Sequence, residues 1–276
     1  MAVTQPTVKS MRQGTKLLLG KYSANKDAEP VPIAWTKATP NGDFIASSAV
    51  DFLCFDAREP VIHANGAMTR NAGNPRYVLS NIHRFLNSEE VDWYIPAHEQ
   101  DHAPSNRYSD IYGGFGTYTD HYGFLHYFED FEIACLSLQT VHIGEDEVTS
   151  LIRLPTINDI TGDSKFNLFK KKGIRVHPSE DIVQWKRNTG YSRTEQFMPY
   201  FLADKRLPES VNVVDRSGYV SHTQPCTPNG IRPICKIKLD ARVEEIGNGV
   251  YELLPFDAVP MEAVSSKELF EFLGLV

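Results

Sequence analysis

No C-x-x-C pair joins the four cysteines of this 276-residue sequence, which stand far apart at positions 54, 135, 226 and 235. That spacing excludes a zinc ribbon and a disulfide-dense scaffold, and leaves free buried thiols as the expectation. Basic runs are as scarce: Lys170-Lys171-Lys172 stands alone, and 28 Lys and Arg against 35 Asp and Glu give a net charge of −7. A surface of that sign repels phosphate backbones, so no nucleic-acid partner is expected. Long apolar runs are missing too. Leu17-Leu18-Leu19, between Lys16 and Lys21, is too short for a secretory core or a membrane span. The expectation is cytoplasmic synthesis without a signal peptide and without membrane insertion. No G-x-S-x-G elbow occurs, and nothing pairs a particular Ser or Cys with a His and an acid.

What remains is an ordinary folding composition. Hydrophobic residues make up 41% and aromatics 11%, and the 17 prolines are spread throughout, enough for one large β-rich core. Short β-branched and aromatic runs predict strands at Lys16–Tyr22, Pro32–Lys37, Asp43–Ser48 and Val50–Phe55, with Asn41-Gly42 as a hairpin turn. From Tyr77 to Ser88 the period becomes helical, with Val78, Ile82, Phe85 and Leu86 on one face and Ser80 or Asn81 as cap. A short helix is predicted at Glu129–Cys135, then strands at Leu136–Ile143, Met198–Leu202, Val211–Asp215, Tyr219–His222, Ile234–Leu239 and Val250–Leu254. Ser265 with Glu268 forms a capping box ahead of Leu269, Phe270, Phe272 and Leu273. The class is α+β, with many short strands, few helices and long loops. Trp35, Phe52, Ile82, Phe85, Leu86 and Ile234 are the predicted core.

Residues 89–123 hold no period but carry many aromatic rings. A loop this long in a compact domain is functional or disordered, and aromatic content argues against disorder. Trp93, Tyr94, Tyr108, Tyr112 and Tyr118 are therefore candidate binding residues for a sugar or a protein; the alternative is that they plug the loop onto its own domain. The same loop contains His98-Glu99-Gln100-Asp101-His102, a literal H-E-x-x-H, which on a helix would aim two imidazoles at one zinc. Pro96 and Pro104 bracket it too closely for a supporting helix, so no metal site is assigned; a metal-dependent hydrolase using His98, Glu99 and His102 is the alternative. Tyr112-Gly113-Gly114-Phe115-Gly116 lacks the strand, helix and Gly-Lys-Ser/Thr ending of a phosphate loop.

One series of motifs then lines up in order: Gly20-Lys21-Tyr22, Pro32-Ile33-Ala34-Trp35, Phe55-Asp56-Ala57, Ser80 through Ser88, Gly123-Phe124-Leu125, Arg153-Leu154-Pro155, Tyr200-Phe201-Leu202 and Gly230-Ile231-Arg232-Pro233. Over roughly residues 15–240 this resembles an uncharacterised domain family of bacteriophage and gut-bacterial proteins, itself similar to the formylglycine-generating, C-type-lectin-like fold. Trp93-Tyr94, His98, Asp101 and Pro104 resemble a loop signature of its phage branch. Phe201-Leu202-Ala203 departs from the family's Trp-Leu-Arg, and Cys226 and Cys235 do not match the catalytic cysteine pair of formylglycine-generating enzymes.

The resemblance implies a C-type-lectin-like domain (15–240), which leaves an N-terminal arm (1–14) and, beyond the resemblance, a C-terminal extension (241–276) in which the residue pattern places a strand and a short helix. Asn81, Asn87, Gly230 and Arg232 are its structural motif, Arg232 as a tie to loop carbonyls or a carboxylate. It implies a non-enzymatic bacteriophage virion protein, attached to capsid or tail, with no cofactor. Expected partners are other virion proteins, a host-surface glycan or protein, and further copies of the chain.

Overall fold

The computed structural model describes residues 5–24, 26–57, 72–94, 118, 121–161, 174–180, 182–183 and 196–255. β1 (Lys16–Tyr22), β2 (Val31–Lys37) and β3 (Asp43–Ala46) run antiparallel in succession. Gly42, at φ +87°, makes the turn between β2 and β3; a Cβ there would stand 2.4 Å from the Ile237 carbonyl oxygen, so Asn-Gly is both a turn and a close approach. β4 (Asp51–Leu53) leaves for a different sheet.

The predicted helix at 77–88 is two pieces. A 3-10 turn at Tyr77–Leu79 is followed by α1 (Asn81–Leu86), and Ser80 between them is extended because its hydroxyl accepts the His83 N–H as an N-cap. α2 (Asp130–Cys135) sits where expected, closed by reciprocal Glu129 and Glu132 bonds. β5 (Gln139–Ile143) and β6 (Asp146–Ser150) form a separate hairpin. β7 (Ile152–Arg153), α3 (Ile157–Ile160), β8 (Tyr200–Leu207), β9 (Ser210–Val214), β10 (Val220–Thr223), β11 (Asn229–Ile231), β12 (Ile234–Lys236), β13 (Val243–Gly247) and β14 (Val250–Leu253) complete the described elements.

They make a seven-stranded sheet, ordered β13-β14-β1-β2-β3-β12-β7, and a five-stranded sheet, ordered β10-β9-β8-β11-β4. Only the β1–β14 pair in the first and the β8–β11 pair in the second are parallel. Among the described residues the three α-helices are short, so the class is α+β dominated by sheet. No helix there is long and apolar enough to cross a membrane.

The six predicted core residues are all buried, Trp35 with its indole N–H on the Leu19 carbonyl at 2.9 Å. Residues assigned to the flanking segments also enter the structure's interior. Val8 and Met11 are buried, and the Lys37 ammonium, itself buried, donates to their carbonyls at 2.6 and 3.0 Å. From the other end, β13 and β14 extend the sheet that holds β1, and Thr7 bridges to Arg242. The tail helix expected near 265–273 lies outside the described residues.

Candidate functional site

Of the candidate binding residues, Trp93 and Tyr118 face inward, 2% and 1% exposed, as the alternative of rings that plug the loop onto its own domain has it. The Trp93 indole packs on Phe85 and Tyr118 at 5.1 and 4.9 Å and donates to the His121 carbonyl at 2.9 Å. The Tyr118 hydroxyl points to the Cys54 carbonyl at 3.4 Å, and burial pushes its phenol well above the ordinary tyrosine range. Each ring buries a large apolar area while its polar tip still finds a carbonyl, so burial costs no unsatisfied donor. Tyr94 is half-buried, nearly parallel to Tyr118 at 6.4 Å. Tyr108, Tyr112, His98, Glu99 and His102 lie outside the described residues.

The four motif residues sit at junctions between elements. Asn81 opens α1 and donates its backbone N–H (3.1 Å) and side-chain amide (2.7 Å) to Asp56 Oδ1, while Asp56 Oδ2 accepts the Asn74 N–H. Asn87 ends α1 with its side chain saturated. It donates to the His83 and Ile152 carbonyls at 3.0 and 2.8 Å and accepts the Leu151 and Ile152 N–H groups, each at 3.0 Å. Helix and β7 are thereby tied through one amide. Gly230 pairs with Phe52 on one side and Tyr200 on the other, and a Cβ there would meet the Pro199 carbonyl at 2.8 Å. Arg232, 6% exposed, donates to the Ala46 carbonyl at 3.1 Å and reaches the Ile174 carbonyl at 3.4 Å, its guanidinium 5.5 Å over the Tyr200 ring. The fork ties the end of β3 to the segment at Ile174.

All four cysteines are buried and outside any disulfide. Burial raises the Cys54 and Cys235 thiols far above the usual range and Cys135 to about 11, which suppresses the reactive thiolate. Among the described residues no group of three or more His, Cys, Asp or Glu could hold a metal ion.

A different aromatic group faces outward. After Tyr118 the chain enters a turn whose first residue is anchored deep: His121 Nδ1 lies 3.0 Å from Asp51 Oδ2, the same oxygen that accepts the Tyr22 hydroxyl, and all three residues are buried. Gly123, Phe124 and Leu125 then bond by backbone to Glu90, Phe85 and Ser88, fixing the turn on the end of α1. On that base Tyr122, His126 and Tyr127 stand half-exposed. Tyr122 stacks on His126 at 4.3 Å and 28°, and Tyr127 stands across them, 5.8 Å and 71° from Tyr122 and 4.7 Å and 84° from His126. His126 Nδ1 contacts the Glu89 carbonyl at 2.7 Å, which fixes the imidazole's orientation.

Glu29, from the β1–β2 loop, is close enough to act on the Tyr127 phenol, whose pKa is raised first by desolvation and then by Tyr122 and Glu29. Rigid rings beside carboxylates can hold a flat apolar group or a cation. Tyr122 closes the irregular loop without being singled out as a binding residue, and His126 and Tyr127 fall just beyond it. The available signal was Tyr122 and His126 four residues apart, with Tyr127 next to His126.

No protein-family model matches the chain, and neither the curated proteins nor the solved structures give a match.

Proposed function

We propose that the chain is a non-enzymatic bacteriophage virion component, built on a C-type-lectin-like domain and working as a binding module on the capsid or tail. The ordered motifs from Gly20 to Pro233 support the phage and fold parts of this reading. The observation that carries the binding part is the Tyr122–His126–Tyr127 group, held half-exposed on a backbone-anchored turn. The polar residues at the element junctions are engaged with the chain's own backbone: Asn87 and Arg232 tie carbonyls, and Lys37 holds the N-terminal segment. That division, structural ties inside and rings outside, suits a binding scaffold. Particles purified by density gradient from a culture carrying the gene should contain the chain in stoichiometric proportion to the capsid or tail proteins. Its absence from intact particles that are otherwise complete, with the protein free in the lysate, would end the virion reading.

A further inference from the structure

The three segments that meet at the aromatic turn share one sign of charge. The β1–β2 loop carries Asp27 and Glu29, the stretch after α1 carries Glu89, Glu90 and Asp92, and the end of the turn carries Glu129 and Asp130. Lys26 is the one cation among residues 26–31, 89–92 and 122–130. Two hydrogen bonds join the second and third segments, Gly123 N–H to the Glu90 carbonyl at 2.9 Å and His126 Nδ1 with the Glu89 carbonyl at 2.7 Å, and the charge of Glu29 on the first acts on the Tyr127 phenol. Tyr127 stands nearly perpendicular to both Tyr122 and His126, so the rings form two walls of a corner. Val31 and Val91, 43% and 51% exposed, add apolar surface on two of the same segments. Perpendicular electron-rich faces next to carboxylates attract an organic cation, through the ring quadrupole and through charge, and the same carboxylates repel acidic glycans and phosphates.

We propose that this surface receives a partner protein through a lysine or arginine side chain laid into the Tyr122–Tyr127 corner, with Glu29 as its counter-charge. The inference rests on the binding reading above and names the partner's chemistry. The aliphatic stem of the cation covers the valines while its head meets the rings and the carboxylate. Such a contact weakens as salt rises, because exposed charges are screened over about 10 Å at 0.1 M ionic strength.

The test is a calorimetric titration of the full chain with hexaarginine at low and high salt, alongside cellohexaose as a neutral sugar. Tyr127→Ala and Tyr122→Ala should each weaken hexaarginine binding about two- to fivefold, the size expected of an exposed cation–π contact. Tyr127→Phe should retain binding because the ring remains, Glu29→Gln should weaken it, and thermal melts check that each variant is folded. Unchanged hexaarginine affinity in folded Ala variants would overturn the proposal by showing that the peptide binds elsewhere through general charge. Cellohexaose binding that depends on the rings, without hexaarginine binding, would overturn the cationic partner while leaving a binding surface. Binding of neither probe would also overturn it, independently of whether the chain is found on particles.

Discussion

Acid should destabilise this fold through one buried imidazole. His83 is 4% exposed on α1, edge-on to Tyr77 at 4.9 Å, and its ring nitrogens have no well-formed hydrogen-bond partner. Burial lowers its pKa from 6.5 to about 4, and the Val78 carbonyl offsets this only in part. Above pH 6.5 the ring is neutral in both the folded and unfolded chain and pH has no effect through it. As pH falls below 6.5 the unfolded chain takes up the proton and the folded chain does not, so stability is lost progressively down to about pH 4. Linkage puts the loss at about 2 kcal/mol at pH 5 and about 3 kcal/mol once both forms are protonated.

Asp204 works in the opposite sense, since burial raises its carboxyl and stability through it falls as pH rises. Asp204 is common to both proteins in a comparison of wild type with His83→Phe, and its contribution cancels there. Urea unfolding at pH 7.5, 6 and 5 should show the wild type losing about 2 kcal/mol more than His83→Phe over that range. Parallel pH profiles for the two proteins would refute the assignment of a buried, neutral His83.

Asn87→Ala leaves the Leu151 and Ile152 N–H groups and the Ile152 carbonyl without their partner inside the protein, and should cost about 2–4 kcal/mol in chemical denaturation. Asn87→Asp should cost at least as much, because a carboxylate would face the two carbonyls that now accept from the amide. Arg232→Lys, which loses the planar fork over Tyr200, should lower the melting temperature by an amount equivalent to about 1–3 kcal/mol. Gly230→Ala should cost about 1–3 kcal/mol, since its Cβ would press on the Pro199 carbonyl and Met198.

Local signals made the N-terminal strands legible. β1 to β4 are short aliphatic, β-branched or aromatic runs, and Asn41-Gly42 names its own turn. Ser80 marked the start of α1 because an N-cap is a local interaction. The elements that escaped are those whose own residues carry little apolar pattern. β6 is Asp-Glu-Val-Thr-Ser, with a single apolar residue, and becomes a strand by pairing with β5 in an exposed hairpin. β13, Val-Glu-Glu-Ile-Gly, is little more apolar, and forms on the edge of a sheet whose inner strand, β1, is more than 200 residues away. Val8 and Met11 read as an arm because their anchor, Lys37, lies on β2.

In the candidate site, aromatic density draws attention to residues 89–123, but composition cannot tell a ring that plugs the core from one that meets a ligand. Trp93 and Tyr118 find interior carbonyls for their polar tips, and no pattern in the sequence encodes those carbonyls. Tyr122, His126 and Tyr127 are brought into one group by a turn that is hydrogen-bonded to the end of α1, a placement the sequence does not encode locally.

Add-back to particles is the most direct test of a virion component that binds through this turn. Particles made without the chain would be mixed with purified wild type or with a Tyr122→Ala, Tyr127→Ala double variant of matched thermal stability, then separated by density gradient. Wild type should sediment with the particles at saturable stoichiometry, and the double variant should stay at the top of the gradient. Equal sedimentation of both proteins would remove the turn from the interface, and failure of the wild type to associate at any concentration would contradict the virion role itself.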